Sequence, residues 1–248
     1  MEVDRMSAST VFEMNFQRLY EINTTPESGT ATWARLAKGL KSADPSLNED
    51  TDNTAYLDGG GFKSTDVIAK QFSIAFSGNR VKGDAAQDFI FGKVLQIGDD
   101  LKTQARRTDA FGNVITGDVT IKDIDDGGGD AGAKIDVGFT LDFNGSPTFT
   151  AATAATALSA VVAAGTAIGC TKFTASAGAL NHLGYKLKSA TQGTVNGKSF
   201  VSGYNSYTSA ADIIATAGQV LCMYEIDPNE RVVAYLEETL DAADIKSV

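Results

Sequence analysis

The chain has 248 residues, and 43% apolar with 21% charged residues is the balance of a globular protein. Its formal net charge of -10 argues against stable binding of DNA or RNA, because neutralising phosphates requires a basic surface. The 25 glycines and 4 prolines favour strands joined by tight turns. The alternative explanation of this net charge is that it only keeps the protein in solution.

Alternation of apolar and polar residues predicts a first strand that contains Phe12, Met14 and Phe16. The segment Lys41–Gly61 breaks this pattern, since it is polar and acidic and ends in three glycines. A connection of this length inside a compact domain is usually functional, although an ordinary mobile surface loop is the alternative.

Two later runs show the clearest period of two in the chain. In one, Phe72, Ile74 and Phe76 are the apolar residues, and the other runs from Ile135 to Phe143. Each predicts a strand with one apolar face and one face of small polar or acidic side chains. The polar residues of these two runs are Gln71, Ser73, Ser77, Asp136, Thr140 and Asp142.

One helix is predicted between these runs. Asp84 can cap it, Phe89, Ile90, Val94 and Ile97 recur at helical spacing, and Gly98 is expected to end it. After the helix, Phe111-Gly112-Asn113 predicts a hairpin turn that links residues 102–110 to residues 114–124.

Residues Phe143–Thr171 contain no charge and are mostly Ala, Thr, Gly and Ser. Large aliphatic residues are too sparse there for a membrane span, so we expect a linker with a short helix around Ala154–Ala164. Strands then resume, and their spacing predicts a small β-sandwich. The expected strands lie near 171–176, 183–190, 198–204, 219–226 and 231–237.

The sequence shows no catalytic constellation, and we expect no enzyme, no metal and no cofactor. Its one histidine, His182, lacks obvious partners and is expected in a surface turn. The acidic, glycine-rich segment Asp123–Asp130 resembles a calcium loop, but an EF-hand frame places Lys134 where a glutamate is needed. Cys170 and Cys222 are expected to be reduced and buried. The start of the chain does not have the pattern of a signal peptide.

Several segments, in this order, resemble the major tail tube proteins of long, non-contractile phage tails. They are Trp33–Leu36, the acidic loop, Phe72–Arg80, Asp84–Ile90, Ala110–Asn113, Ile121–Ile124 and Ile135–Gly145. From about Thr171 the chain resembles a small β domain appended to phage virion proteins. The residues that carry this second resemblance are Thr171–Thr174, Tyr185–Lys188, Asp212–Ile214, Gly218–Gln219 and Glu225–Asp227.

The resemblance implies a mainly β fold: a tail-tube-type β-sandwich or barrel with one flanking α-helix, and a small C-terminal β-sandwich. Residues 1–148 would form the tube domain, 149–170 an Ala/Thr-rich linker, and 171–248 a decoration domain outside the tube. Tube proteins of this kind form stacked rings of six around a tape measure protein, and DNA later leaves through the lumen. The chain would act in the virion, after assembly in the bacterial host cytoplasm.

The expected partners are further copies of the chain, the tape measure protein, and the tail terminator and distal tail proteins, with DNA in passing and no membrane. The polar positions given above would line the lumen. The expected contacts between subunits come from the acidic loop, at Ser46, Asn48, Glu49, Asp50, Asp52, Tyr56 and Asp58.

Other interpretations remain open from the sequence. They are a capsid decoration or head–tail joining protein, a tube protein like that of type VI secretion, a secreted adhesin or carbohydrate-binding module, and an enzyme. Trp33 is the one tryptophan that could offer a sugar platform, and it is more simply explained as a core residue.

Overall fold

A computed structural model describes residues 12–247. They form two parts with separate hydrophobic cores, a strongly curled sheet with one α-helix and a small C-terminal sandwich. This confirms the predicted mainly β fold with a flanking helix and a C-terminal β-sandwich. The curled sheet does not close into a barrel.

The first part contains ten strands and one α-helix. In chain order these are β1 (Leu19–Asn23), β2 (Trp33–Arg35), β3 (Leu40–Ser46), β4 (Glu49–Ala55), β5 (Lys63–Lys70), β6 (Ser73–Asn79), α1 (Ala85–Phe91), β7 (Lys102–Thr108), β8 (Val114–Asp125), β9 (Asp136–Phe143) and β10 (Thr148–Thr150). The sheet order is β2-β1-β7-β8-β9-β6-β3, β10 pairs with β8, and β4 and β5 form a separate hairpin.

The core follows from the period-two pattern of the central strands. In the register of β6 and β9, Ile74 lies opposite Leu141 and Phe76 opposite Phe139. The two phenylalanine rings stack with their centroids 4.9 Å apart, and all four side chains are buried. Burial of such side chains is the main stabilising contribution to this half of the molecule.

The sheet curls until its two ends approach each other. The rings of Tyr20 on β1 and Phe76 on β6 are 5.4 Å apart, although three strands separate β1 from β6 in the sheet. Asn15 bridges the opening, since its Nδ2 donates to the carbonyl of Ala43 and its Oδ1 accepts from the hydroxyl of Tyr20. The predicted strand at Phe12, Met14 and Phe16 is therefore wrong: a 3-10 helix (Asn15–Gln17) crosses the opening and leaves these three side chains exposed.

The predicted helix exists but is shorter than expected. The carboxylate of Asp84 accepts from the backbone N–H of Gln87 at 3.0 Å, as a helix cap does. The helix ends at Phe91, so the prediction that it reaches Gly98 is wrong. Val94 and Ile97 are exposed, and a helix with no core to cover gains nothing from extending past Gly92.

The hairpin turn between β7 and β8 is confirmed, and the carboxylate of Asp109 holds it by accepting from the N–H groups of Phe111 and Asn113. By contrast, the segment Lys41–Gly61 is not a loop. It contains most of β3 and all of β4, and β3 pairs along its length with β6. These strands contain few apolar residues, so they show no hydrophobic period by which a strand could be recognised.

The C-terminal part contains eight strands. They are β11 (Thr156–Ala157), β12 (Ala160–Ala164), β13 (Cys170–Ala175), β14 (His182–Lys188), β15 (Asn205–Tyr207), β16 (Ile213–Ile214), β17 (Val220–Ile226) and β18 (Val232–Thr239). A five-stranded sheet, β11-β18-β17-β14-β15, lies beside a three-stranded sheet, β12-β13-β16. Four of the five predicted strands are present, and the one near 198–204 is absent, since only Phe200 forms an isolated bridge there.

The segment expected to be a helical linker is built into both parts. Its first residues belong to β10, which pairs with β8, whereas β12 pairs along its length with β13. β11 runs parallel to β18. The predicted helix around Ala154–Ala164 is wrong, because these small and β-branched residues complete the edges of existing sheets.

The two parts are also joined by contacts away from this segment. The guanidinium of Arg231, at the start of the last hairpin strand, donates to the carbonyls of Asp109 and Gln17 in the first part and of Lys198 in the second. The backbone N–H of Phe200 donates to the carbonyl of Ala110 at 2.9 Å. The C-terminal part is thus docked on the turn between β7 and β8.

Candidate assembly surfaces

Five of the six candidate lumen residues share one face of the curled sheet. Ser73 and Ser77 lie on β6, and Asp136, Thr140 and Asp142 lie on β9. The register places Ser73 opposite Asp142, and these positions alternate with the buried core residues on both strands. Gln71 is exposed just before β6. The face is thus opposite the core, as the pattern requires, and its role as a channel wall stays a prediction.

Two members of this face are largely covered. The Oγ of Ser73 accepts a hydrogen bond of 2.8 Å from Asn48. Asp142 is buried beneath Lys122 of β8, whose Nζ lies 2.8 Å from the Asp142 Oδ2, and this hydrogen bond raises the pKa of Lys122. These two side chains therefore make contacts within the protein and are hardly exposed to solvent.

Asp136 is fully exposed at the other end of β9. Its carboxylate accepts from the Nζ of Lys41 at 3.0 Å and from the Nδ2 of Asn79 at 2.7 Å. The hydrogen bond from Lys41 is the main cause of a lowered pKa of the Asp136 carboxyl, with a smaller contribution from Asn79. Asp136 is therefore ionised at neutral pH, and its charge is partly compensated.

The polar face carries charges of both signs. β6 and β9 themselves have no basic residue, and the carboxylates on β3, β8 and β9 are Asp44, Asp118, Asp136 and Asp142. Because Thr120 lies opposite both Asp142 and Lys102, the register places Lys102 and Arg106 of β7 on this face, in addition to Lys41 of β3 and Lys122 of β8. Sequence reasoning considered only β6 and β9 and therefore missed the basic residues that the neighbouring strands supply.

The β4–β5 hairpin contains five of the candidate contact residues: Glu49, Asp50 and Asp52 on β4, and Tyr56 and Asp58 in its tip. Every residue of β5 is exposed, and no residue of β4 is buried. The strands are held by their own ladder and by a 2.7 Å ion pair of Glu49 with Lys70. Ser46 and Asn48 lie at its base, where Asn48 bonds to β6 through Ser73 and the Gln71 carbonyl.

One face of the hairpin concentrates negative charge. Asp52 lies directly opposite Asp66, and Asp50 is two residues from Asp52 on the same strand. Like charges directly opposite each other destabilise a pair of strands. An isolated two-stranded hairpin is also only marginally stable in water. The hairpin therefore has the properties of an element that completes its contacts elsewhere.

The tip of the hairpin, residues 56–62, is apolar despite its exposure. Tyr56, Leu57 and Phe62 are all exposed, and Leu57 begins a single 3-10 turn that ends at Gly59. Gly60 and Gly61 follow with φ of 60° and 87°, the region that glycine tolerates best. Exposed apolar side chains gathered at one point are typical of a protein–protein contact.

The histidine and the two cysteines are built into the fold of the C-terminal part. Contrary to the expectation of a surface turn, His182 begins β14, and its Nε2 lies 2.8 Å from the hydroxyl of Tyr204, which in turn donates to Glu230. Cys170 and Cys222 are buried and unbridged. Within residues 12–247, no group of His, Cys, Asp and Glu is arranged to hold a metal ion, and no helix is long and apolar enough to cross a bilayer.

Residues 163–243 match the family of the S-layer protein SbsC C-terminal domain. Among solved structures, a tail chain of an empty gene transfer agent particle, determined with C6 symmetry, is 20% identical over 56% of this chain and 100% of its own, with a TM-score of 0.46. Domains 7, 8 and 9 of SbsC are 23% identical over 55% of this chain and 38% of theirs, with a TM-score of 0.36.

A chain of the phage P2 baseplate in its activated conformation is 12% identical over 93% of this chain and 90% of its own, with a TM-score of 0.35. No curated protein sequence matches the chain. With identities below 25% and TM-scores below 0.5, none of these likenesses assigns a role to a residue of this protein.

Proposed function

We propose that this chain is the tube subunit of a long phage-type tail, in which six copies form a ring and the rings stack around a channel for DNA. The observation that carries the proposal is the β4–β5 hairpin. It projects from the sheet, has no buried residue, and ends in an exposed apolar tip. Two strands with no buried residue and an exposed apolar tip are the features of an element that gains its contacts from another protein surface.

The polar face of the sheet supports the same proposal. On β6 and β9 it carries only carboxylates and small or polar side chains, and the basic residues that β3, β7 and β8 add to it are all in ion pairs. A channel wall of this kind repels phosphates, so DNA would slide past without binding. The members that would contact the lumen are the exposed Ser77 and Asp136 and the half-buried Thr140, together with the exposed Gln71 at the end of the face.

In this function the partners are other copies of the chain, a tape measure protein within the tube, and terminator and distal tail proteins at its ends. A closed ring of sheets removes exposed strand edges, which would otherwise aggregate. The C-terminal part would lie on the outside, because it is docked on the turn between β7 and β8, away from the polar face of β6 and β9.

A second candidate is a subunit of a two-dimensional surface array. The match of residues 163–243 to an S-layer domain is the observation that favours it. Head-to-tail contacts that close give rings, whereas contacts that do not close give extended lattices. A capsid decoration or head–tail joining protein, or a tube like that of type VI secretion, would also use the same surfaces.

Electron microscopy of the purified protein distinguishes these functions. Tubes or six-fold rings are expected for the tail tube, and flat sheets for a surface array. A variant in which residues 50–69 are replaced by a short Gly-Ser linker should remain folded, monomeric and unable to polymerise. Replacement of the acidic tip 126–131, which is also exposed and glycine-rich, is the matched control and should leave assembly intact. Normal tubes from the hairpin deletion would contradict the proposal.

A further inference from the structure

A groove of about 840 Å³ lies at the base of the hairpin. The ends of β3 and β5, the start of β6, β7, β8 and the turn before β10 all contribute to it. Its apolar lining comes from Pro45, Leu47, Phe72, Ile115 and Pro147. These residues come from four separate segments of the chain, which is why no local sequence pattern indicated the groove.

Of the charged groups in the wall of this groove, Lys70 pairs with Glu49, whereas Arg107 of β7 forms no ion pair with any residue between positions 12 and 247. Its guanidinium lies 5.7 Å from the centre of the Phe72 ring, and its buried Nε has no hydrogen-bond partner among residues 12–247. Burial lowers the pKa of this guanidinium. A buried donor without a partner costs free energy that an incoming acceptor would recover.

The carboxylates near Arg107 are already engaged. Asp109 holds the turn between β7 and β8, and Glu13 accepts both hydrogen bonds of Arg18. The adjacent Arg106, on the opposite face of β7, forms an ion pair with Glu21 at 2.5 Å. Arg107 is therefore the arginine of this strand that is left for an external acid.

The tip of the hairpin has the complementary features. Leu57 and Phe62 are exposed apolar side chains, and Asp58 between them forms no ion pair or hydrogen bond with residues 12–247. The tip cannot fold back into its own groove, since β4 carries it seven residues away, a distance of about 20 Å along the strand.

We propose that the hairpin tip of one copy docks into the groove of a neighbouring copy, with Leu57 and Phe62 against the apolar lining and the Asp58 carboxylate on the Arg107 guanidinium. The inference rests on the proposed function and names the partner of the hairpin. The contact is head-to-tail, because tip and groove are different surfaces of the same chain, and such contacts propagate into rings or stacks.

Charge reversal tests the ionic contact in the full chain. Asp58→Arg should raise the protein concentration needed for assembly, measured by sedimentation, by about tenfold or more, as expected for loss of a charge-assisted hydrogen bond. The double variant Asp58→Arg with Arg107→Asp should restore it at least in part. Asp130→Arg makes the same change of charge on another exposed glycine-rich tip and should assemble like the wild type.

Two leucine-to-serine variants test the apolar contact. Leu57→Ser should weaken assembly, whereas Leu180→Ser, at an equally exposed leucine of the C-terminal part, should not. Leu57→Cys combined with Ser146→Cys at the rim of the groove should form a disulfide between chains in the assembled state. Circular dichroism and the melting temperature confirm that each variant is folded.

The possible failures are distinguishable. If the wild-type chain stays monomeric at all concentrations, the proposed function fails, and this inference fails with it. If the wild type assembles and both Asp58→Arg and Leu57→Ser assemble equally well, the docking inference alone is overturned. A disulfide within one chain, or none between chains, would overturn it as well.

Discussion

The Nη1 of Arg231 lies 2.6 Å from the backbone carbonyl oxygen of Asp109, and this bond joins the C-terminal part to the curled sheet. Arg231 is almost completely buried, and its guanidinium is held by main-chain carbonyls rather than by a carboxylate. Burial, which the charge of Asp227 partly offsets, lowers the pKa of Arg231 to about 10. The group still carries its charge at neutral pH.

Arg231→Ala should destabilise the junction by about 3 kcal/mol, because three carbonyls lose a charged donor and a cavity is left behind. The loss is to be measured by urea denaturation and by proteolysis of the segment between the two parts. Arg35→Ala is the matched control, since Arg35 also reaches across the junction, to Asn229, but is exposed and bonds at 3.4 Å. That change should cost less than about 0.5 kcal/mol. Equal losses in the two variants would contradict this account of the junction.

Glu13 should make stability depend on pH at the acid end. The hydrogen bond from Arg18 is the main cause of the lowered pKa of the Glu13 carboxyl, and the N–H of Ala110 adds to it. A depressed carboxyl pKa stabilises the fold above the unfolded value of 4.5, and this contribution disappears as the pH falls through the folded pKa. At pH 7, Glu13→Gln should therefore be less stable than wild type by about 0.5–1 kcal/mol, after allowance for solvent screening.

Denaturation curves of both proteins between pH 7 and pH 3 measure this effect. The two should begin to converge near pH 4.5 and meet only as the pH falls through the lowered pKa of Glu13 in the folded protein, because Glu13 is then protonated in the folded state as well. Arg18→Gln at pH 7 should reproduce the loss. A difference between Glu13→Gln and wild type that stays constant with pH would show that the lost interaction is not ionic.

Cationic replacements on the polar face should turn a repelling surface into a binding one. Asp136→Lys with Thr140→Lys alters two residues that are not buried, and the protein should still fold and assemble. Its tubes should retain short DNA fragments at low salt and release them as salt rises, with a slope set by the number of phosphates contacted. Co-sedimentation of DNA with tubes across ionic strength measures this.

The same change of charge outside the tube supplies the control. Asp241→Lys lies in the C-terminal part and should not retain DNA inside tubes. Asp142→Lys is unsuitable for this test, because it would bury a lysine against Lys122 and should impair folding. If the double variant on the polar face retains no DNA at any salt concentration, these residues do not line the channel.

Truncation tests whether the C-terminal part decorates the tube. The chain should end at Ala152, because β10 belongs to the first sheet and the N–H of Ala152 still donates to Asn113. This shortened protein is expected to assemble into narrower tubes, visible by electron microscopy. Phe16 is already exposed and loses its one edge-on ring contact, with Phe200, so the shortened protein is expected to be less soluble, and Phe16→Ser should correct this. A shortened protein that folds but never assembles would show that the C-terminal part contributes to the tube wall.

How far the sequence predicted the structure depended on whether a segment buries one face. The runs at Phe72–Phe76 and Ile135–Phe143 alternate because one face of each strand meets the core, so the strands and their apolar faces could be predicted, whereas their pairing with each other could not. β4 buries no face and its residues show no hydrophobic period, so it was predicted as part of a loop, and no structure was predicted for β5. The first strand of the hairpin thus lies in the segment predicted to make contacts between subunits, and that role stays a prediction.

The prediction of a helix in the linker was wrong for a different reason. Alanine has a high helix propensity, and nothing in Ala154–Ala164 indicates which strands lie nearby. Pairing with β13 and β18, which come later in the chain, decided the outcome. The same is true of the lysines on the polar face and of the groove around Arg107, which exist only because distant segments are brought together.

The absence of a loose tether between the two parts has a practical consequence. Because β10 and β12 fix both ends of the intervening segment, and Arg231 fixes the junction, a peptide grafted into the exposed turn at Leu180 would keep one orientation relative to the sheet. In a repeating assembly, such grafts would recur at a regular spacing and in a regular orientation. An epitope displayed in this way would be presented with the periodicity of the particle itself.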